Sequence, residues 1–418
     1  MFNLEQRVAV QQPVPIKGVV ALFSFVILVM LFLFISYAYL YAYSLGGPAP
    51  VYHYVFFICV SSFLLAVSPA FGYTLSIPNC AAVVFFYFWL LLYILYAGIH
   101  FLFFSQSEFA LEFLINALEM ILIAGVAAYM LIALNLVRAF MVVMAVAAIL
   151  AVFLNIVDFF WPYLSNVPGR AAGLYVNPNI SGKMLCFLMV AGVLVVPKKL
   201  QFSFVLICGI GVILTFSRGA WALWIIGFAW FLLRDQGKLS FRMIYKSIFA
   251  ITVALVVGAT LYFGILGGFI ENSWIEPYLT SNTLQRLGIS AVTISGESAE
   301  IREALVYTSL QEWSEKPVFG HGASYTATWE DDGGVRSHNM YLMFLVEGGL
   351  IGFFVYMALL VGLWLSTVGL GRALVVLIAV SGLFTHNNLE QVSVIIMLAF
   401  VLSHGVHVKK YQNKLVPK

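Results

Sequence analysis

Charge is what this chain has least of. Lysine, arginine, aspartate and glutamate together make up 9% of its 418 residues, where a soluble domain carries roughly a quarter to keep its surface hydrated. That shortage, with 63% apolar residues and a mean hydropathy of +1.01, excludes a soluble globular protein and calls for lipid. Cysteine is scarce too. Cys59, Cys80, Cys186 and Cys208 all lie in or beside apolar segments and form no C-x-x-C pair, which points away from metal and disulfide roles and toward filler in helix packing. The net charge of +3 is small and its basic residues sit at loop ends, so no nucleic-acid partner is expected. The apolar run after Lys17 is too long for a signal peptide and has no obvious cleavage site, so it reads as a retained first span.

What is abundant is long apolar runs. Crossing the hydrocarbon takes about 20 mostly apolar residues as helix. On that basis an all-α polytopic membrane protein is predicted, with about a dozen spans near 18–43, 53–70, 80–104, 112–134, 139–158, 181–197, 201–216, 219–234, 245–265, 339–365, 371–386 and 391–407. The predicted layout is three parts. Residues 1–265 hold spans one to nine, 266–338 form one long hydrophilic loop, and 339–418 hold the last three spans and a tail. Cytoplasmic loops are enriched in lysine and arginine. Alternating from Arg7 and Lys17, the clusters at Arg138, Lys198-Lys199, Arg234–Lys246, Arg372 and Lys409–Lys418 all fall on one side. Both termini are therefore expected inside, and the long loop outside.

Several cations oppose that trend. Arg170, Lys183, Arg218, Arg286, Arg302 and Arg336 fall on the expected outer side and need another reason to be there. Within the loop, Ile301, Leu305, Leu310 and Trp313 recur at near-helical spacing, with acids in the first turn and Pro317 and Gly320 beyond. This predicts an amphipathic helix lying on the membrane surface. Some seventy residues are too few for an independent catalytic core, so the loop is expected to be a lid over a site shared with the spans.

Arg218 stands between two apolar runs in Leu214-Thr-Phe-Ser-Arg-Gly-Ala-Trp221. A charge there costs about 2.5–3.5 kcal/mol at the centre of a span and less at its end. The plain alternative is a side chain snorkelling to headgroup phosphates. The functional reading is an anion site, since a guanidinium fork holds two phosphate oxygens and keeps its charge. His338 stands where the loop re-enters the membrane, followed by Asn339. Imidazole suits proton transfer from a hydroxyl at neutral pH, although a polar helix cap would look the same. Asn177-Pro178-Asn179 predicts a tight turn and an N-cap. Glu347, in Val346-Glu-Gly-Gly-Leu-Ile-Gly352, must be paired or hydrogen-bonded to sit in a span. Glu330-Asp331-Asp332 reads as a solvated loop tip, and His53, His100, His386, His404 and His407 show no ligand spacing, so no metal is expected.

Three blocks carry a resemblance. Arg170…Asn177-Pro178-Asn179, Phe216-Ser-Arg-Gly-Ala-Trp221, and Pro317-Val-Phe-Gly-His-Gly322 leading to His338-Asn339…Glu347-Gly-Gly-Leu-Ile-Gly352 occur in this order around a long loop. In this the second half of the chain resembles the O-antigen ligase and polymerase superfamily of bacterial envelopes. The first half matches only as a series of spans. The resemblance implies a glycosyltransferase architecture of the GT-C type in the bacterial inner membrane, with its site on the periplasmic side. It implies a donor glycan on undecaprenyl pyrophosphate, an acceptor sugar on the lipid A core, membrane lipids around both, and no metal or other cofactor. Under that reading Arg218 and Arg286 form the main pyrophosphate clamp, and Arg170 and Arg302 are candidates to join it. His338 is the base, and Asn179, Asn339 and Glu347 support the site. Two positions depart from the pattern. Tyr307 follows Arg302 where a tryptophan is expected, and His321 replaces a small hydrophobic residue. Overall similarity and a single major loop favour a ligase over a polymerase, and over a protein O-oligosaccharyltransferase, which is usually longer. A flippase for lipid-linked sugars is the alternative from another class; it would place polar groups at the midplane and show internal repeats, and no repeat is seen.

Overall fold

The computed structural model describes residues 18–71, 75–104, 109–234, 297–331 and 338–415. The predicted span at 245–265, Arg286 and Arg336 lie outside the described residues. Every other predicted span coincides with a helix. In chain order these are α1 (Gly18–Ile35), α2 (Ala38–Ser44), α3 (Pro50–Val67), α4 (Ala81–Ile99), α5 (Ala110–Ala133), α6 (Val137–Phe160), α7 (Pro178–Gly192), α8 (Lys198–Ile213) and α9 (Arg218–Leu233). After the long loop's helix α10 (Glu297–Glu315) come α11 (Met340–Ser366), α12 (Leu370–Ser381) and α13 (Val392–Leu415). The described residues contain no strand.

Length separates these helices. Six are long and apolar enough to cross a membrane, and α1 with α2, bent by 64°, would make a seventh. The expected dozen is therefore not reached among the described residues. The reason is geometric: α7, α8, α9 and α12 have 15, 16, 16 and 12 residues, and at 1.5 Å per residue the shortest is about 18 Å long. Hydrocarbon is about 30 Å thick, so none of these four is long enough to cross it alone.

α13 is the central element. Every residue from Gln391 to Val408 is buried, against α5, α12 and α1. The outer helices do the opposite. Phe25, Phe56, Phe63, Leu122 and Phe153 point outward and are exposed, an apolar skin that water would penalise and lipid accepts. α6, α7, α8 and α9 pack side by side, and α4 pairs with α11, where Trp89 donates its indole N–H to the Val355 carbonyl at 2.8 Å.

The loop helix α10 forms where expected, and it packs along α11. Ser309 is buried, Leu305 and Trp313 are half-buried, and Leu310 is exposed.

Candidate functional site

Three helices begin at one end of the bundle, and each begins on a polar residue singled out by the sequence. Asn177 caps α7, its side chain accepting from the Asn179 N–H at 2.9 Å, with Pro178 in the first turn. Ser217 caps α9, accepting from Ala220 N–H. Asn339 caps α11, accepting from the N–H groups of Tyr341 and Leu342 at 2.9 and 3.2 Å. Immediately before the first two caps stand Val176 and Phe216 with φ of 61° and 47°. Left-handed backbone is unusual for a bulky or β-branched residue, and such strain persists only where neighbours enforce it.

Arg170 supplies part of that enforcement. It is buried, and its Nε donates to the Thr215 carbonyl and its Nη2 to Asn179 Oδ1, each at 2.9 Å. The neighbouring Ala171 N–H donates to the Leu214 carbonyl at 3.0 Å. The guanidinium thus ties the start of α7 to the turn that delivers Arg218. Two of its donors are committed to the protein, which makes it a brace for the turn. Asp158, at the end of α6, holds the other side of the same loop. Its two oxygens accept from the N–H groups of Leu164, Ser165, Ala172 and Gly173 at 2.7–3.2 Å.

Arg218 itself is exposed at the first position of α9, and it makes no hydrogen bond or ion pair with any described residue. Its neighbour Gly219 lies against the Phe384 ring. Phe384 belongs to the turn between α12 and α13. That turn carries His386, whose ring centroid is 5.5 Å from that of His338. Met340 N–H donates to the Gly382 carbonyl at 2.8 Å, fixing the start of α11 to the same turn. His338 is exposed beside it. The 382–391 turn therefore connects Arg218 to His338.

Lys183 was expected to add positive charge to this face. It does not, because it is buried, and its Nζ donates to Asn388 Oδ1 and Gln391 Oε1 at 3.0 and 2.7 Å. It bridges α7 to the 382–391 turn. Arg302 falls in the second turn of α10.

Glu347 finds its partner in the loop. Its carboxylate accepts from the N–H groups of Ser324 and Thr326 at 3.2 Å and from the Thr326 hydroxyl. Two residues on, α11 breaks at Gly349, whose φ of 59° and ψ of −156° are non-helical. A break inside an apolar bundle strands backbone polar groups, each costly to leave unpaired. The Pro317–Gly322 segment takes them up. Leu350 N–H and Ile351 N–H donate to the carbonyls of Pro317 and Val318, and those of Val346 and Glu347 accept from His321 N–H and Gly322 N–H, all at 2.9–3.3 Å. The two glycine-rich motifs are thus halves of one interlock. A Cβ on Gly349 would collide with the Val318 carbonyl, and one on Gly320 with the Glu347 carbonyl. Gly349→Ala is expected to cost at least about 1–3 kcal/mol from backbone strain alone. Thermal unfolding in detergent reads this out, and an unchanged midpoint would mean that the interlock is dispensable.

Among the described residues, the ligating atoms of Glu312, Glu315 and His321 lie within 4.8 Å of one another. Local bonds account for that grouping. His321 Nε2 pairs with the Glu312 carbonyl at 2.8 Å, its ring stacks on Tyr325 at 4.3 Å, and the Tyr325 hydroxyl donates to Glu312 Oε2 at 2.9 Å. Burial, with the Glu312 hydrogen bond and the charges of Glu312 and Glu315 adding to it, pushes the Tyr325 phenol up to about 12. It remains a donor at any physiological pH.

Comparison with known proteins agrees with the motifs. No curated protein shows significant similarity to the chain. Residues 203–357 match the family described as O-Antigen ligase, a stretch that includes Arg218, Arg286, Arg302, His338, Asn339 and Glu347 and leaves out Arg170 and Asn179. With apolar helices long enough to span a bilayer, the chain is a membrane protein, and its segment 203–357 is similar to the O-antigen ligase family.

Proposed function

We propose that the protein is an O-antigen ligase of the bacterial inner membrane. It moves a polysaccharide from undecaprenyl pyrophosphate to a sugar of the lipid A core, on a GT-C type scaffold with both termini cytoplasmic and the site periplasmic. The observation that carries this is the gathering of three helix starts around the 382–391 turn, with Arg218, bonded to no described residue, and exposed His338 on it. Helix N-termini present free N–H groups and partial positive charge, a setting for phosphate. Arg218 adds a full charge, and Arg286 with Arg302 would complete the clamp from the loop. A lid over the site is consistent with the interlock that fixes residues 317–326 to α11.

The chemistry then follows. The acceptor hydroxyl oxygen attacks the anomeric carbon, the bond from that carbon to the pyrophosphate oxygen breaks, and the electron pair leaves with the pyrophosphate. His338 takes the hydroxyl proton, and the configuration inverts. Charge grows on the leaving oxygen, where fixed cations stabilise it most. No step calls for a metal.

Deleting the protein in its host and resolving the lipopolysaccharide on a gel tests the reading. A ligase deletion leaves bare core while lipid-linked polymer accumulates. Core capped by single repeats would make it a polymerase instead, and donor stranded on the cytoplasmic side would make it a flippase.

A further inference from the structure

A cleft of about 100 Å³ opens between the start of α5, α4, the Ser324 turn and the end of the 382–391 turn. Its chemistry is unlike that of the three helix starts. Both ionisable carboxyl groups that line it are acidic, Glu112 from the first turn of α5 and Glu390 from the 382–391 turn. Asn116 lies one turn beyond Glu112, and Phe109, Phe113 and Tyr93 supply aromatic walls. The two settings are joined through the chain. Glu390 follows His386 by four residues in one turn, and His386 faces His338 at 5.5 Å. Ser324, on the opposite wall, donates its N–H to Glu347 Oε2 at 3.2 Å.

Two carboxylates, with no cation among the described lining residues, repel a pyrophosphate. They accept hydrogen bonds from hydroxyl groups, and such charge-assisted bonds are about twice as strong as neutral ones. Aromatic walls cover the apolar C–H faces of a sugar ring. The volume lies below the roughly 300–1,000 Å³ of pockets that bury a whole drug-sized ligand, so the cleft fits one ring of a longer glycan.

We propose that this cleft is the acceptor subsite, holding a hydroxyl-bearing sugar ring of the lipid A core through Glu112, Asn116 and the Phe113 face. The assignment rests on the glycosyl-transfer reading above. It divides the site by charge, with the anionic donor group at the helix starts and Arg218, the neutral acceptor ring in the acidic cleft, and His338 between them to receive the proton. An acid in the first turn of α5 also complements the helix dipole, so the test needs a readout that stability does not move.

That readout is the separation of two Michaelis constants. The full-length protein in detergent is assayed with purified lipid A–core and undecaprenyl-pyrophosphate-linked glycan, varying each in turn. Glu112→Ala and Phe113→Ala are expected to raise the acceptor KM by about tenfold or more, the size of one lost charge-assisted bond, with the donor KM unchanged. Glu112→Gln, which keeps shape and one acceptor oxygen, is expected to fall between, and it carries the test should the alanine variants be lost from the membrane. An unchanged acceptor KM overturns the cleft assignment, as does a parallel rise in both constants. If the unaltered protein transfers no glycan, the proposed function fails first and this assignment with it.

Discussion

Replacing His338 by alanine is expected to lower ligation by about 10²–10⁴-fold, the usual contribution of a positioned general base, and to leave a measurable trace. The trace remains because the cationic setting for the leaving group does not depend on the imidazole. The position of the ring is set by backbone that the substitution does not touch. Asn339 caps α11 with two hydrogen bonds, and Met340 N–H is held by the Gly382 carbonyl. His338→Gln separates proton transfer from hydrogen bonding, since an amide can bond a hydroxyl and cannot take its proton. It should be as inactive as alanine. His386 is the necessary control, because its ring lies 5.5 Å away. His386→Ala should reduce the initial rate less than His338→Ala at equal membrane levels. The reverse order would make His386 the base and His338 its neighbour.

The helices were legible because lipid leaves the backbone few choices. Spans must be apolar and helical throughout, so hydropathy alone located the described helices α3 to α9 and α11 to α13, each start within three residues. What hydropathy cannot weigh is length against thickness. The run at 371–386 reads as a span, yet its helix stops at Ser381, and the remaining residues turn to place Phe384 and His386 at the site. Arg218, His338 and Asn339 were legible for a related reason: polar residues at the border of an apolar run stand out where lipid penalises them. Lys183 stood out equally and misled, because a sequence shows a charge and not its partners. Asn388 and Gln391, which receive its ammonium, are more than two hundred positions away. The roles of His386 and Asp158 were hidden. His386 was one of several scattered histidines, and nothing around Asp158 in Val157-Asp-Phe-Phe160 shows the four distant N–H groups it accepts from. The coupling of the Pro317–Gly322 and Glu347–Gly352 motifs was hidden too, since backbone pairing across a helix break leaves only glycines as its trace.

Arg218→Ala is expected to lower kcat by about 10²–10³-fold, the loss typical of removing one fixed donor to a developing oxyanion. The donor KM should move less, because the charge the guanidinium meets is greatest in the transition state. Arg218→Lys keeps the charge and loses the fork, so it should recover part of the rate. Arg170 separates the chemical role from the architectural one. Two of its donors hold Thr215 and Asn179, and Arg170→Ala should lower the thermal midpoint by loosening the turn before Arg218. Arg218 is exposed and bonded to no described residue, so Arg218→Ala should leave that midpoint where it was. The paired measurement decides between a brace and a clamp. A fall in midpoint for Arg218→Ala, with kcat unaltered once the folded fraction is matched, would return Arg218 to the headgroup-anchoring role and leave the pyrophosphate to Arg286 and the helix starts.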